Sequence, residues 1–347
     1  MQLNSIERLA AFNQGLPVDR PPYMLFHGTF GARLTHQTYQ ESEATAGNIA
    51  AKEIAVYNAF GCDNVSVNLG LNGLGIILGS QMKYPEDASP MLDVPLLSSL
   101  DELDKIDLSK VSFEASCLLR KHDLAIQMIQ DRLGQEVAVA YELTGPLTSA
   151  ASLINIETLL RGTRRQPEQV HQLLGLVTQA TLRIIDAFAL NHQTTFNITD
   201  PVSSGALISG KQYREFSQPY TQRIVEHIKQ YQRGEVVIHI CGDTTKFLTD
   251  IASTGVDYIS IDQQVDLTTA LEIVEELPVG IIGNIDPVKY LLQGDINSIQ
   301  QQVAQSYEAA KHSSTKYIIG PGCSVPLATP IQNVTAYMEA IMHYGRM

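Results

Sequence analysis

Tryptophan is absent and cysteine is scarce, with four residues in 347, at positions 62, 117, 241 and 323. Spacing this wide excludes a disulfide framework, so each cysteine is core packing or chemistry. Basic residues are the second deficit: 24 Lys and Arg stand against 37 Asp and Glu, a formal net charge of −13. Nucleic acid is therefore excluded as a partner, because phosphate backbones demand clustered cations. No unbroken apolar run approaches the roughly 18 residues that cross a bilayer, and positions 1–20 lack a basic-then-apolar leader. A cytoplasmic chain with no membrane partner is expected. What is plentiful is apolar side chain, 44% of residues, enough for a large core.

Asn4-Ser5-Ile6-Glu7 joins an N-cap to a glutamate three residues on, and opens a short leading helix that stops before Pro17. Eight apolar or β-branched segments follow, at 22–26, 64–67, 137–141, 194–198, 236–240, 257–261, 279–282 and 316–319. Helical periodicity follows each of them, as at 43–60, 113–133, 147–165, 167–190, 211–232 and 296–310. This alternation predicts an α/β fold with a parallel sheet, and eight units without an interdomain linker predict a (β/α)8 TIM barrel, one domain over residues 1–347. Between the second and third strands, Gly70, Gly73, Gly75 and Gly79 punctuate 69–79, and three prolines fall in 84–95. This long insertion is expected to be a mobile excursion at the barrel rim.

Active sites on such a barrel lie at the C-terminal strand ends. Those ends are His27, Asn68, Glu142, Asp200, His239 with Cys241, Asp262, Asn284 and Cys323. His239 and Cys241, two apart in an extended strand, face one way while Ile238 and Ile240 face the other. Cys323, in Gly320-Pro321-Gly322-Cys323, follows the last strand and shares the rim if the barrel closes. Two thiols and one imidazole suit zinc, and three protein ligands leave the open position of a catalytic site. Sulfur argues against magnesium or calcium. A cysteine in an apolar strand is also a common core residue, and these separations match no short metal motif, so both readings stand. For Glu142 and Asp200, each before a Pro-containing turn, the alternatives are turn capping and catalysis. Asp262 and Asn284 carry the same pair of alternatives, and a structural hydrogen bond competes with a ligand role for His27. Cys62 and Cys117 are expected in the core.

His239-Ile240-Cys241-Gly242 with the distant Gly322-Cys323, the early Asp19-Arg20-Pro21-Pro22, and Asp200-Pro201-Val202-Ser203-Ser204-Gly205 followed by Pro219-Tyr220 resemble the uroporphyrinogen decarboxylase superfamily. The resemblance covers essentially the whole chain and is nearest to the methylcobamide:coenzyme M methyltransferase branch. Decarboxylases of the family carry two arginines for substrate carboxylates where this chain has His27 and Gly31, and an aspartate where it has Asn68. The resemblance therefore implies a methyltransferase, with Zn2+ on His239, Cys241 and Cys323 activating a small thiol such as coenzyme M. Methylcobamide, presented by a separate corrinoid protein, is the implied methyl donor, with His27, Asn68 and Asn284 as cofactor-binding residues. Glu142 or Asp200 then fills the fourth metal position at rest or orients the His239 ring. Two alternatives stay open: a decarboxylase acting without metal, and a non-catalytic barrel that binds a corrinoid protein.

Overall fold

Seven of the eight apolar segments fold as strands of one sheet in the computed structural model, which describes residues 2–192, 194–231 and 234–345. In chain order the strands are β1 (Val65–Asn68), β2 (Gln81–Lys83), β3 (Met91–Val94), β4 (Val139–Thr144), β5 (Thr195–Thr199), β6 (Val237–Ile240), β7 (Tyr258–Ile261), β8 (Gly280–Ile285) and β9 (Tyr317–Pro321). β2 and β3 form a separate antiparallel hairpin. The other seven lie side by side in sequence order, all parallel, as expected when each strand returns through a helix.

Side-chain alternation divides each strand between two environments. Val65, Val67, Val139, Tyr141, Phe196, Ile198, Ile238, Ile240, Ile259 and Ile261 are buried in the large core shared with the surrounding helices. On the opposite face Tyr258, Ile282 and Ile318 form a second cluster with Met24, packed by Leu9 and Phe12 of the leading helix Ser5–Asn13. Nearer the C-terminal strand ends that face turns polar, with Ser66, Asn68, Glu142, Asn197, Thr199 and His239 around one cavity. The interior is thus an apolar plug beneath a polar cup.

The expected strand at 22–26 is a single bridge rather than a ladder. Tyr23 pairs with Ile319 of β9, and Met24 N–H donates to the Ile319 carbonyl at 3.0 Å. Pro21 and Pro22 have no N–H to extend the ladder. On its other side the segment meets a side chain in place of a strand: Asn64 Oδ1 accepts from Leu25 N–H at 2.8 Å and Asn64 Nδ2 donates to the Leu25 carbonyl at 3.2 Å. Asp63 anchors the same corner, accepting from Arg8 at 2.6 Å, Arg20 at 2.6 Å and the Tyr23 N–H at 3.0 Å. Arg20 of the Asp-Arg-Pro-Pro segment is therefore spent on architecture.

The leading helix has the expected capping box between Asn4 and Glu7, and Ala46–Phe60 ends at Gly61 with φ of 62°, a conformation glycine adopts without penalty. Two expected helices are broken. The 147–165 stretch is Pro146–Ala151 and Ile156–Arg165. The 211–232 stretch is Gly210–Phe216 and Gln218–Gln230, with Pro219 in the first turn of the second helix, where a proline is tolerated; Gln232 lies outside the described residues. Within the glycine-rich stretch, Gly73–Leu78 is a short helix with Leu74 and Leu78 buried, and Gly70 and Leu71 line the cavity at the strand ends. A Cβ on Gly75 would stand 2.4 Å from the Ser152 carbonyl oxygen, so this glycine permits close packing. Cys117 is exposed, also against expectation. It begins Cys117–Leu133, whose buried stripe is Leu119, His122, Ile126 and Ile129. The helix Pro167–Asn191 is long and apolar enough to cross a membrane, although no unbroken apolar run marks it; 56% of its most apolar window is buried in the fold.

Candidate metal centre and active-site cavity

The C-terminal ends of β6 and β9 bring His239, Cys241 and Cys323 together. Their ligand atoms all lie within 4.8 Å of one another, with Cys241 Sγ 3.3 Å from His239 Nε2. Tetrahedral ligands about 2.0–2.3 Å from zinc stand roughly 3.3–3.8 Å apart, so small side-chain movements complete the set. His239 Nδ1 is held by the Ser260 hydroxyl at 3.1 Å and the Ser260 carbonyl at 3.2 Å, which aims Nε2 at the sulfurs. Ser260 stands opposite His239 in the β6–β7 register. Hydrogen bonds from Cys241 and His239 pull the Cys323 thiol down, to about 4, and the bond to Cys323 together with burial pushes Cys241 up.

These three residues sit in a cavity of about 410 Å³. His27, Asn68 and Glu142 line it too. Glu142 accepts from Ser66 Oγ at 2.9 Å and from Asn68 Nδ2 at 2.6 Å, while burial raises its carboxyl above the ordinary value. His27 Nε2 is 3.0 Å from Glu53 Oε2.

Two of the residues expected here lie elsewhere. Asp200 is fully buried and accepts from Thr148 N–H at 2.8 Å, Thr148 Oγ1 at 2.6 Å and Ser203 Oγ at 2.6 Å. Burial raises its pKa and those bonds only partly offset the shift. It braces the turn after β5 and does not line the cavity; the ring of His239 is oriented by Ser260 instead. Asn284 donates to the carbonyls of Asp262 and Val265 at 3.0 and 2.6 Å and lines a different, polar depression with Gln263 and Asp286. Asp262 caps its own turn through Gln264 N–H at 2.9 Å.

The wall facing the sulfurs was not foreseen. Helix Ala46–Phe60 buries Ile49, Lys52, Glu53 and Val56, an i, i+3, i+4, i+7 stripe in which two of four positions are charged. Lys52 Nζ contacts Glu43 and lies 3.3 Å from Glu53 Oε1. Burial alone would depress the ammonium, but both carboxylates outweigh it and its pKa is raised. Glu53 is lowered likewise: burial opposes ionisation, while His27 and Lys52 overcome it. The available signal was a Lys-Glu pair within an otherwise apolar helical stripe.

Residues 4–344 match the family model described as uroporphyrinogen decarboxylase (URO-D). The chain is 27% identical over 342 residues, 97% of each chain, to methylcobamide:CoM methyltransferase MtbA of Methanosarcina acetivorans. It is 25% identical over 350 residues to uroporphyrinogen decarboxylase of Prochlorococcus marinus, covering 94% of this chain and 93% of that one. Among solved structures, a methyltransferase from Methanosarcina mazei shares the fold with a TM-score of 0.85 at 20% identity, over 99% of both chains.

Proposed function

We propose, from the premise that this chain belongs to the uroporphyrinogen decarboxylase family, that it is a zinc-dependent methyltransferase. It moves a methyl group from a methylated corrinoid to a small thiol, coenzyme M being the acceptor named for its relatives. The observation that carries this reading is the convergence of His239, Cys241 and Cys323 within 4.8 Å in a cavity. Their donor set suits zinc and leaves a coordination position free. Zinc held there supplies the Lewis acidity that lets a thiol, ordinarily of pKa about 8.5, lose its proton at neutral pH. Ser260 fixes the imidazole orientation, as supporting hydrogen bonds do for metal-bound histidines generally. Glu142, facing the same cavity with its pKa raised by burial, is the proton acceptor for the incoming thiol. The thiol sulfur then forms the S–CH3 bond as the donor's Co–C bond breaks, the bonding pair staying with cobalt.

The same reading takes the fold as a closed (β/α)8 barrel forming a single domain, with a leading helix and an insertion after the second strand. It is supported by the bridges that join the 22–26 segment to β9 on one side and to Asn64 on the other. A separate corrinoid protein presents the methyl donor. Cytoplasmic location is part of the proposal, in keeping with four free cysteines. Among the described residues no arginine lines the cavity, which leaves a polycarboxylate substrate without the cationic clamp a decarboxylase of this family would use.

Metal analysis and a spectroscopic methylcobalamin-demethylation assay test this function. The wild-type protein should hold about one zinc and demethylate methylcobalamin only when a thiol is added. Cys241→Ser and Cys323→Ser should each lose the metal and the turnover together while keeping the wild-type far-UV circular dichroism. Undiminished turnover in either variant after metal removal refutes the proposal.

A further inference from the structure

We infer that Asn197, with Thr199 above it on the same strand, holds the sulfonate end of the acceptor thiol while the sulfur sits at the metal. The inference rests on the function proposed above and names the residues that select its substrate. Most polar side chains around the cavity are already engaged. Glu142 takes the donors of Ser66 and Asn68, Glu53 is shared by His27 and Lys52, and Asn64 closes on both backbone groups of Leu25. Asn197 and Thr199 line the same cavity half-buried on β5. Their backbones are tied into the sheet, but among the described residues their side chains make no hydrogen bond, and both stay open to the cavity. A ligand can take these donors without stripping another group, and an amide left unanswered at such a site costs stability.

Register fixes where they lie. Thr199 pairs with His239 of β6, while Asn197 pairs with Val237 on that side and with Glu142 of β4 on the other. Asn197 therefore stands one strand, about 4.8 Å, across from the ligand-bearing strand and two residues, about 6.6 Å, below the level of His239. That is the reach of a two-carbon thiol whose sulfur is bound at the triad. Asn197 Nδ2 and the Thr199 hydroxyl then donate to two sulfonate oxygens, and such bonds to an anion are stronger than those between neutral groups. No ion pair in the helix wall has to open. The proton that the thiol gives to Glu142 leaves that carboxyl neutral in the register position next to Asn197, so the sulfonate is not set against a charge there. Coenzyme M, the acceptor in the relatives' name, carries a sulfonate on a two-carbon spacer.

Two thiols with the same two carbons isolate the end group: 2-mercaptoethanesulfonate and ethanethiol. The full-length chain loaded with Co(II) is titrated with each, and the sulfur-to-cobalt charge-transfer band reports binding independently of turnover. The wild-type protein should bind the sulfonate at least about tenfold more tightly, the size of one hydrogen bond to a charged group. Asn197→Leu should remove most of that preference while ethanethiol affinity stays within about twofold, and Thr199→Val should narrow it by a smaller factor. Asn197→Asp, which keeps the shape, should reverse the preference by setting a carboxylate against the sulfonate; it gives the same comparison if Asn197→Leu does not fold. A wild-type protein without the preference, a preference that survives both Asn197 variants, or equal losses for the two thiols overturns the inference and leaves the methyltransferase reading intact. A band that no thiol alters overturns both. Selective loss of sulfonate binding, with no methylcobalamin demethylation by the wild type, supports the assignment of Asn197 and refutes methyl transfer.

Discussion

The two walls of the cavity hold polar groups by different physics. On the strand side His239, Cys241 and Cys323 are soft ligands whose side-chain hydrogen bonds run to Ser260 and to one another, which leaves them available to a metal. On the helix side Lys52, Glu53, Glu43 and His27 satisfy each other, a closed ionic set in a buried stripe. The difference is one of reserve: unsatisfied ligands confer chemistry, whereas a satisfied network confers shape and field. Charge in such a wall influences which molecule enters without touching the reacting atoms.

Lys52→Met should break the contrast most severely. Removing one partner from a buried ionic set costs about 3–5 kcal/mol, measurable as a lowered urea midpoint at pH 7, while the metal content of the folded fraction stays at the wild-type level. Loss of zinc without loss of stability would show that the walls are one unit. Adding Glu53→Leu to Lys52→Met should recover most of the stability, because a buried pair replaced by apolar groups is often neutral.

Ser260→Ala acts on the other wall. Freed from its Nδ1 partners' hydroxyl, His239 should lose roughly 10–100-fold in zinc affinity, the usual size for an outer-shell partner, read by competition with a chelator, with little change in unfolding midpoint. An unchanged affinity would mean that the Ser260 carbonyl suffices.

Glu142→Gln should give the smallest stability effect, and one that depends on pH. Burial raises the Glu142 pKa above its ordinary 4.5, so the folded state binds the proton more tightly than the unfolded chain. Its contribution to stability is therefore greatest below that ordinary value and declines as pH rises through the folded pKa. The variant cannot ionise, so its denaturation midpoint should gain on the wild type as pH rises above the ordinary 4.5. A gain on acidification instead would reverse the assigned direction. Turnover should fall at the same time, if Glu142 accepts the thiol proton.

Strand content was legible because β-branched runs and their spacing are local: seven of the eight expected segments pair in one sheet. The eighth was misjudged because the prolines before Tyr23 and the side chain of Asn64 replace backbone partners, and a hydrophobic pattern does not show who donates to whom. Glu142 and Asp200 looked alike as acidic strand ends. Only the tertiary structure separates them, through the Thr148 and Ser203 bonds that consume Asp200 and the cavity that Glu142 faces. The Lys-Glu pair at 52 and 53 was missed because a charged pair on a helix is ordinarily solvent-facing, and its burial depends on what packs against that face.

By itself the sequence determined that His239 and Cys241 share a strand face, since extended backbone alternates its side chains whatever surrounds it. It also determined the order in which apolar strands and helices alternate. Tertiary structure alone decided that Cys323 reaches the pair, that Ser260 turns the imidazole toward it, and that a lysine and two glutamates close the opposite wall. The sulfur and serine contacts join residues distant in the chain and are settled by strand register. Lys52 and its glutamates are near in sequence and reach the wall only because helix packing buries that face.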